Sequence, residues 1–177
     1  MRDLQTRIVL WLARIMNPPV QPKRSIEIKL DQLRVLPDGT LGREIARFLD
    51  ENGFAPFNSG DLIQRTHDVW HVLTGLSPAE EDEMLLQAFT RAQVFRPFSA
   101  IVVLYGLLTG KLTCAEVRES IRRGKLARRL IHWDLESDWA TPLEEVRHKL
   151  GIIPFTTSLK PQSKPPQGLP DVSPECS

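Results

Sequence analysis

The sequence predicts an all-α fold, built as a single helical domain. Three observations carry this. Apolar residues recur at helical spacing, Ser, Thr and Pro stand where helices would start, and Gly stands where they would stop. A chain of 177 residues can close one core, and 41% hydrophobic with 25% charged residues are ordinary globular proportions.

The N-terminal stretch MRDLQTRIVLWLARIM places Leu4, Ile8, Trp11, Leu12 and Ile15 beside Arg2, Arg7 and Arg14. That is an amphipathic helix broken at Pro18 and Pro19, either a first core helix or one lying on a membrane surface. Its apolar run is too short and interrupted to span a bilayer, and no small-residue cleavage site follows. Neither a transmembrane helix nor a secretory signal is expected, and Asp3 speaks against a transit peptide. Residues 17–30 carry three prolines and read as an irregular connection.

Helix signals return at 40–50 (TLGREIARFLD), with Gly53 as C-terminal cap. Residues 61–74 (DLIQRTHDVWHVLT) read as one helix that buries Leu62, Ile63, Val69, Trp70 and Leu73 and ends at Gly75. Ser77, Pro78 and Glu80 predict an N-cap, a first helical residue and a capping box, for a helix from Pro78 to about Ala92. The run FSAIVVLYGLLT at 98–109 fits a buried strand or a buried helix, and its helical surroundings decide for helix. Thr113 caps CAEVRESIRRGKL, and Thr141, Pro142 and Glu144 open TPLEEVRHKL, which Gly151 closes. Residues 156–177 are rich in Pro, Ser and Lys and read as a disordered tail, leaving 1–155 as the domain.

Net charge is +1, so no global field points to nucleic acid. Cys114 and Cys176 form neither a disulfide framework nor a Cys-type zinc site, and a reducing compartment is the default. Arg118, Arg122, Arg123, Lys125, Arg128 and Arg129 are locally basic but lack interleaved aromatics. They read as a solvated helix face or a partner for anionic headgroups or prenyl phosphate, and not as an RNA or DNA surface.

The chemistry concentrates in His67, Asp68, His71 and Glu83. Two imidazoles four apart share one helix face, Asp68 borders it, and Glu83 returns after a short loop. A metal-binding helix hairpin is therefore expected, with His and carboxylate donors around one point and a coordination position left open. Solvated, independent side chains are the competing expectation. A zincin would need Glu where Asp68 stands and a further His downstream, so a metalloprotease is rejected.

The stretch HDVWHVLTGLSPAEEDE resembles the His-Asp-x-x-His…Glu signature of the coenzyme Q (ubiquinone) biosynthesis protein 4 family. Trp139 and PLEEVRHKLGIIP resemble its closing segment, so the likeness covers roughly residues 35–154. The resemblance implies a helical fold, a divalent metal of zinc type held by His67, Asp68, His71 and Glu83, and an apolar cavity for a polyprenyl chain. It also implies a membrane surface and other quinone-biosynthesis enzymes as partners. The implied activity is decarboxylation of a polyprenylated hydroxybenzoate, oxidative or not. The alternative is a non-catalytic scaffold that presents a prenylated lipid or quinone intermediate. Phe95, Phe98, Ile101, Val102, Tyr105 and Leu108, with Leu104 and Leu107, would line the apolar trough. A peripheral membrane location follows, on the cytoplasmic face in a bacterium or the matrix side of the mitochondrial inner membrane; a homodimer is allowed.

Overall fold

The computed structural model describes residues 16–20, 26–57 and 60–155. The N-terminal helix expected before Met16 and the tail expected from residue 156 lie outside the described residues. The helices are α1 (Leu30–Arg34), α2 (Leu41–Asn52), α3 (Leu62–Arg65), α4 (His67–Thr74), α5 (Glu80–Gln93), α6 (Pro97–Leu108), α7 (Cys114–Leu126) and α8 (Leu143–Leu150). Two 3-10 turns, Leu130–His132 and Leu135–Asp138, precede α8. The described residues contain no strand, only an isolated antiparallel bridge between Thr40 and Pro142.

Helix stops and the apolar run follow the expectation: Gly53, Gly75 and Gly151 end α2, α4 and α8, and 97–108 is helical. Thr113 and Glu116 make the capping box of α7. Three expected starts differ. The single helix at 61–74 is broken at Thr66, whose N–H and hydroxyl both donate to the Leu62 carbonyl, at 3.0 and 2.8 Å. The box at Ser77–Glu80 does not form; Ala79 is the N-cap. The Ser77 N–H and hydroxyl both donate to Asp82 Oδ2, at 2.9 and 2.6 Å, while Glu80 pairs with Lys111. Helix α8 starts after Pro142 rather than Thr141, because the loop ahead of it pairs with the start of α2. Leu41 N–H donates to the Thr141 carbonyl and Leu143 N–H to the Gly39 carbonyl, both at 2.8 Å.

Helix α5 packs against both α6 and α7. Gly124 permits the approach of α7: a Cβ there would lie 2.7 Å from the Phe89 carbonyl oxygen and 2.8 Å from Ala92 Cβ. Polar ties span the same seam, from Ser120 Oγ to the Leu85 carbonyl (2.6 Å) and from Gln93 Nε2 to the Gly124 carbonyl (2.6 Å). The core is sealed around Leu41, Ile45, Leu49, Val69, Leu73, Leu86, Phe89 and Val146. Burying a side chain of this size contributes about 1.5–3 kcal/mol. Helix α6 buries Ser99, Val103 and Gly106 and turns larger apolar residues outward. No helix among the described residues is long and apolar enough to cross a membrane.

Candidate metal centre

Helix α4 begins at His67, so His71 follows one turn later on the same face. Glu83, in the first turn of α5, meets both across the loop. Its Oε2 lies 3.1 Å from His67 Nε2 and 3.0 Å from His71 Nε2, and the two nitrogens are 3.2 Å apart. His71 is buried, whereas the side chains of His67 and Glu83 remain 26% and 36% exposed, so the cluster has one open side.

Neighbouring groups set the direction of each donor. His71 Nδ1 lies 3.1 Å from the Leu76 carbonyl oxygen, which can only accept, so Nδ1 carries the hydrogen. In the neutral ring the Nε2 lone pair then faces Glu83 and His67. Phe48 stacks on the His71 ring at 5.4 Å and 19°. Gln87 Nε2 donates to Glu83 Oε1 at 2.9 Å, and Ser99 Oγ donates to Gln87 Oε1 at 2.7 Å. Glu83 thereby keeps Oε2 for the histidines. The end of α4 is tied down by Arg147, which donates to the carbonyls of Leu73 (2.9 Å) and Val72 (2.7 Å). Phe155 N–H donates to the Thr74 carbonyl at 2.7 Å.

A carboxylate oxygen and two imidazole nitrogens this close require a positive charge among them. Burial opposes charge on His67, but the hydrogen bond and charge of Glu83 outweigh it and hold the imidazole above its ordinary pKa. Burial likewise opposes charge on Glu83, but hydrogen bonds from His67 and His71 hold its carboxyl well below the usual range. A shared proton answers this need, and so does a divalent cation. Two imidazoles and one carboxylate are a donor set that suits Zn2+ with a coordination position left free. Donor atoms of His67, His71 and Glu83 all lie within 4.8 Å of one another, so these three residues can hold a metal.

Asp68 stands apart from that converging set. It is buried, its Oδ2 has no hydrogen-bond partner, and burial raises its carboxyl pKa. Of the apolar residues expected to line a trough, Phe98 and Val102 are half-buried. Ile101, Leu104, Tyr105 and Leu108 are exposed on the outer face of α6, and Phe95 is exposed just ahead of that helix. The basic cluster is partly internal: Arg122 and Arg123 pair with Glu119, Arg123 also reaches the Pro154 carbonyl, and Arg129 donates to the Gln93 carbonyl. Arg118, Lys125 and Arg128 are left exposed.

Residues 17–156 match the family described as coenzyme Q (ubiquinone) biosynthesis protein Coq4. The chain belongs to the Coq4 family. It is 29% identical over 155 residues to the mouse mitochondrial ubiquinone biosynthesis protein COQ4 homolog, matching 76% of this chain and 58% of that protein. It is 28% identical over 177 aligned residues to the Nematostella vectensis COQ4 homolog, matching 82% of this chain and 85% of that one. The crystal structure of a protein from Nostoc punctiforme assigned to ubiquinone biosynthesis superposes with a TM-score of 0.59 at 27% identity. That match covers 81% of this chain and 74% of the Nostoc chain. The matched residues include His67, His71 and Glu83, whose donor atoms converge. The second rank of the centre was not singled out from the sequence. Gln87 lies one turn beyond Glu83 and was legible in principle, whereas Phe48, Ser99 and the Leu76 carbonyl carry no local signal.

Proposed function

We propose that this Coq4 protein is a metal-dependent ring decarboxylase of a polyprenylated hydroxybenzoate, oxidative or not, in the biosynthesis of ubiquinone or a related quinone. The observation that carries the proposal is the convergence of His67 Nε2, His71 Nε2 and Glu83 Oε2 beside an open side. A divalent metal bound there, Zn2+ by the chemistry of its donors, would supply Lewis-acid polarisation of a carboxylate or phenolate oxygen. The Leu76 carbonyl keeps His71 in the tautomer that binds through Nε2. Glu83, whose carboxyl the neighbouring imidazoles hold well below its usual range, offers an oxygen suited to a cation. Asp68, its carboxyl pKa raised by burial and its Oδ2 unpartnered, is suited to hold a proton and deliver it to the ring carbon that loses carbon dioxide.

A second proposal draws on the exposed apolar face of α6, with Ile101, Tyr105 and Leu108, and on Phe95 just ahead of it. It is a prenyl-lipid-binding scaffold that meets a membrane surface and other quinone-biosynthesis enzymes, with the half-buried Phe98 and Val102 in the same lipid lining. Peripheral placement on the cytoplasmic face in a bacterium, or on the matrix side in mitochondria, goes with either proposal, as does a homodimer. One assay separates them. Zinc-loaded protein is incubated with a prenylated hydroxybenzoate, and carbon dioxide release and bound metal are measured. The enzyme releases carbon dioxide, and His71→Ala loses both metal and at least 100-fold in rate, roughly 2.7 kcal/mol of barrier. A scaffold binds the lipid and releases none. Full activity in metal-free His71→Ala would overturn the metal-dependent mechanism.

A further inference from the structure

Glu83 presents one oxygen to the histidines and has the other engaged elsewhere. Its Oε2 faces His67 Nε2 and His71 Nε2 at 3.1 and 3.0 Å, while its Oε1 accepts from Gln87 Nε2 at 2.9 Å. Gln87 stands one turn further along α5, so the two side chains share a face. An ionised carboxylate only accepts, so the amide turns its NH2 toward Glu83 and its own oxygen away. That oxygen meets Ser99 Oγ at 2.7 Å, and the hydroxyl donates to it. Ser99 lies in the first turn of α6 and is 1% exposed, so the amide oxygen is held by a fixed protein donor. Gly106 lets α6 come close to α5, because a Cβ there would lie 2.9 Å from Met84 Sδ.

The consequence concerns how many donors a cation finds. A carboxylate with both oxygens free binds a cation through one or through two, and the second mode adds an oxygen donor. Zinc favours few donors in a tetrahedral array, whereas Mn2+ favours an octahedron rich in oxygen. With Oε1 tied to the amide, the converging set is two nitrogens and one oxygen. We infer that the Gln87 amide, locked by Ser99, restricts Glu83 to binding through Oε2 alone and so sets the preference of the centre for Zn2+ over Mn2+. Gln87 and Ser99 are positioning residues, since both act through Glu83. The inference rests on the metal-centre reading above and adds to it the residues that choose the metal.

The test uses the full chain and two readouts. The first is the visible absorption of bound Co2+, which is strong in a tetrahedral site and falls as donors are added. The second is the ratio of Zn2+ to Mn2+ affinity, from titrations against a chelator. Wild-type protein should show the strong band. Gln87→Leu should weaken the band and lower the Zn2+/Mn2+ ratio about tenfold or more. Ser99→Ala should move both in the same direction by less. In the double variant Ser99→Ala should add nothing, because the amide through which it acts is gone. A merely structural role for Ser99 would lower the melting midpoint in either background and leave band and ratio alone. Gln87→Met, equally without a donor, replaces Gln87→Leu if that variant does not fold. A weak band in wild type, an unchanged ratio in Gln87→Leu, or a Ser99→Ala effect that persists in full beside Gln87→Leu would each overturn the inference. Uptake of Co2+ with a band indifferent to Gln87 sinks the inference and leaves the metal centre standing, whereas a chain that takes up neither Co2+ nor Zn2+ sinks both.

Discussion

Arg147 joins the closing helix to the helix that carries both histidines, and its replacement by Met gives a quantitative test of how the site is held. The guanidinium donates to the carbonyls of Val72 and Leu73 at 2.7 and 2.9 Å, in the last turn of α4. Those carbonyls are among the four that a helix end leaves without intrahelical partners. Methionine keeps much of the apolar stem and removes both donors. Hydrogen bonds from a charged group contribute about 1.5–3 kcal/mol each. The Arg147 side chain is 14% exposed, so the lower end applies, and two such bonds come to about 3 kcal/mol. The further pair with Glu144 adds little, because that carboxylate is 77% exposed. For a chain of this size each kcal/mol moves the midpoint by about 2–4 °C, so Arg147→Met should melt ~6–12 °C below wild type by circular dichroism at 222 nm. Arg147→Lys should recover less than half, since one ammonium cannot reproduce the two-pronged geometry. A midpoint within about 2 °C of wild type for Arg147→Met would refute the capping argument.

Gln87→Leu should lower Zn2+ affinity about 10–100-fold, because Glu83 loses the donor that holds its Oε1; a chelator-competition titration matching wild type would count against it. Asp138 is buried and accepts from Lys149 Nζ at 2.9 and 2.7 Å and from Trp133 Nε1 at 2.7 Å. Burial alone would raise its carboxyl pKa, but the hydrogen bonds from Lys149 and Trp133 prevail and hold it below the ordinary value of 3.8. The ionised form is therefore favoured in the folded state. The stability it contributes is present above pH 3.8 and is lost as pH falls through the depressed folded value. Asp138→Asn should cost about 2 kcal/mol near neutral pH, with the deficit shrinking in urea melts below pH 4; a pH-independent deficit would show that packing, not charge, is responsible.

How much of this was legible in the sequence depended on whether the signal was local. His67 and His71 share a face because of the helical period, and Glu83 follows after a short loop, so their convergence could be anticipated from spacing, whereas Asp68, expected with them, stands outside the converging set. The device expected to set the turn was a different one. Ser77 was read as the cap with Glu80 as its partner, but Asp82 accepts both Ser77 donors, and the helix starts at Glu80. The triad survived the error because moving a helix start does not change which residues share its faces. Thr66 shows the opposite case. Propensity gave no reason to break 61–74, and no local residue pattern marks the break at Thr66. The cap at Thr141 was displaced by a non-local pairing with the start of α2, which a scan of neighbouring residues does not contain.

What orients the centre is harder to foresee than what composes it, for a physical reason. The groups that point His71 and secure α4 are the carbonyls of Leu76, Val72 and Leu73, and every residue carries the same carbonyl. Only the fold decides which of them lies 3.1 Å from an imidazole. Gln87 and Ser99 are the intermediate case, since their side chains can be read but their relation crosses from α5 to α6. That crossing has a consequence for function. Ser99 is buried on the inner face of α6, whereas Ile101, Leu104, Tyr105 and Leu108 of the same helix face outward. A displacement of α6 by anything that seats on its apolar face would act on Ser99, then Gln87, then the carboxylate that completes the triad. The enzyme and scaffold proposals thus share a physical link, because the surface suited to a lipid and the residues suited to a metal are joined by two hydrogen bonds.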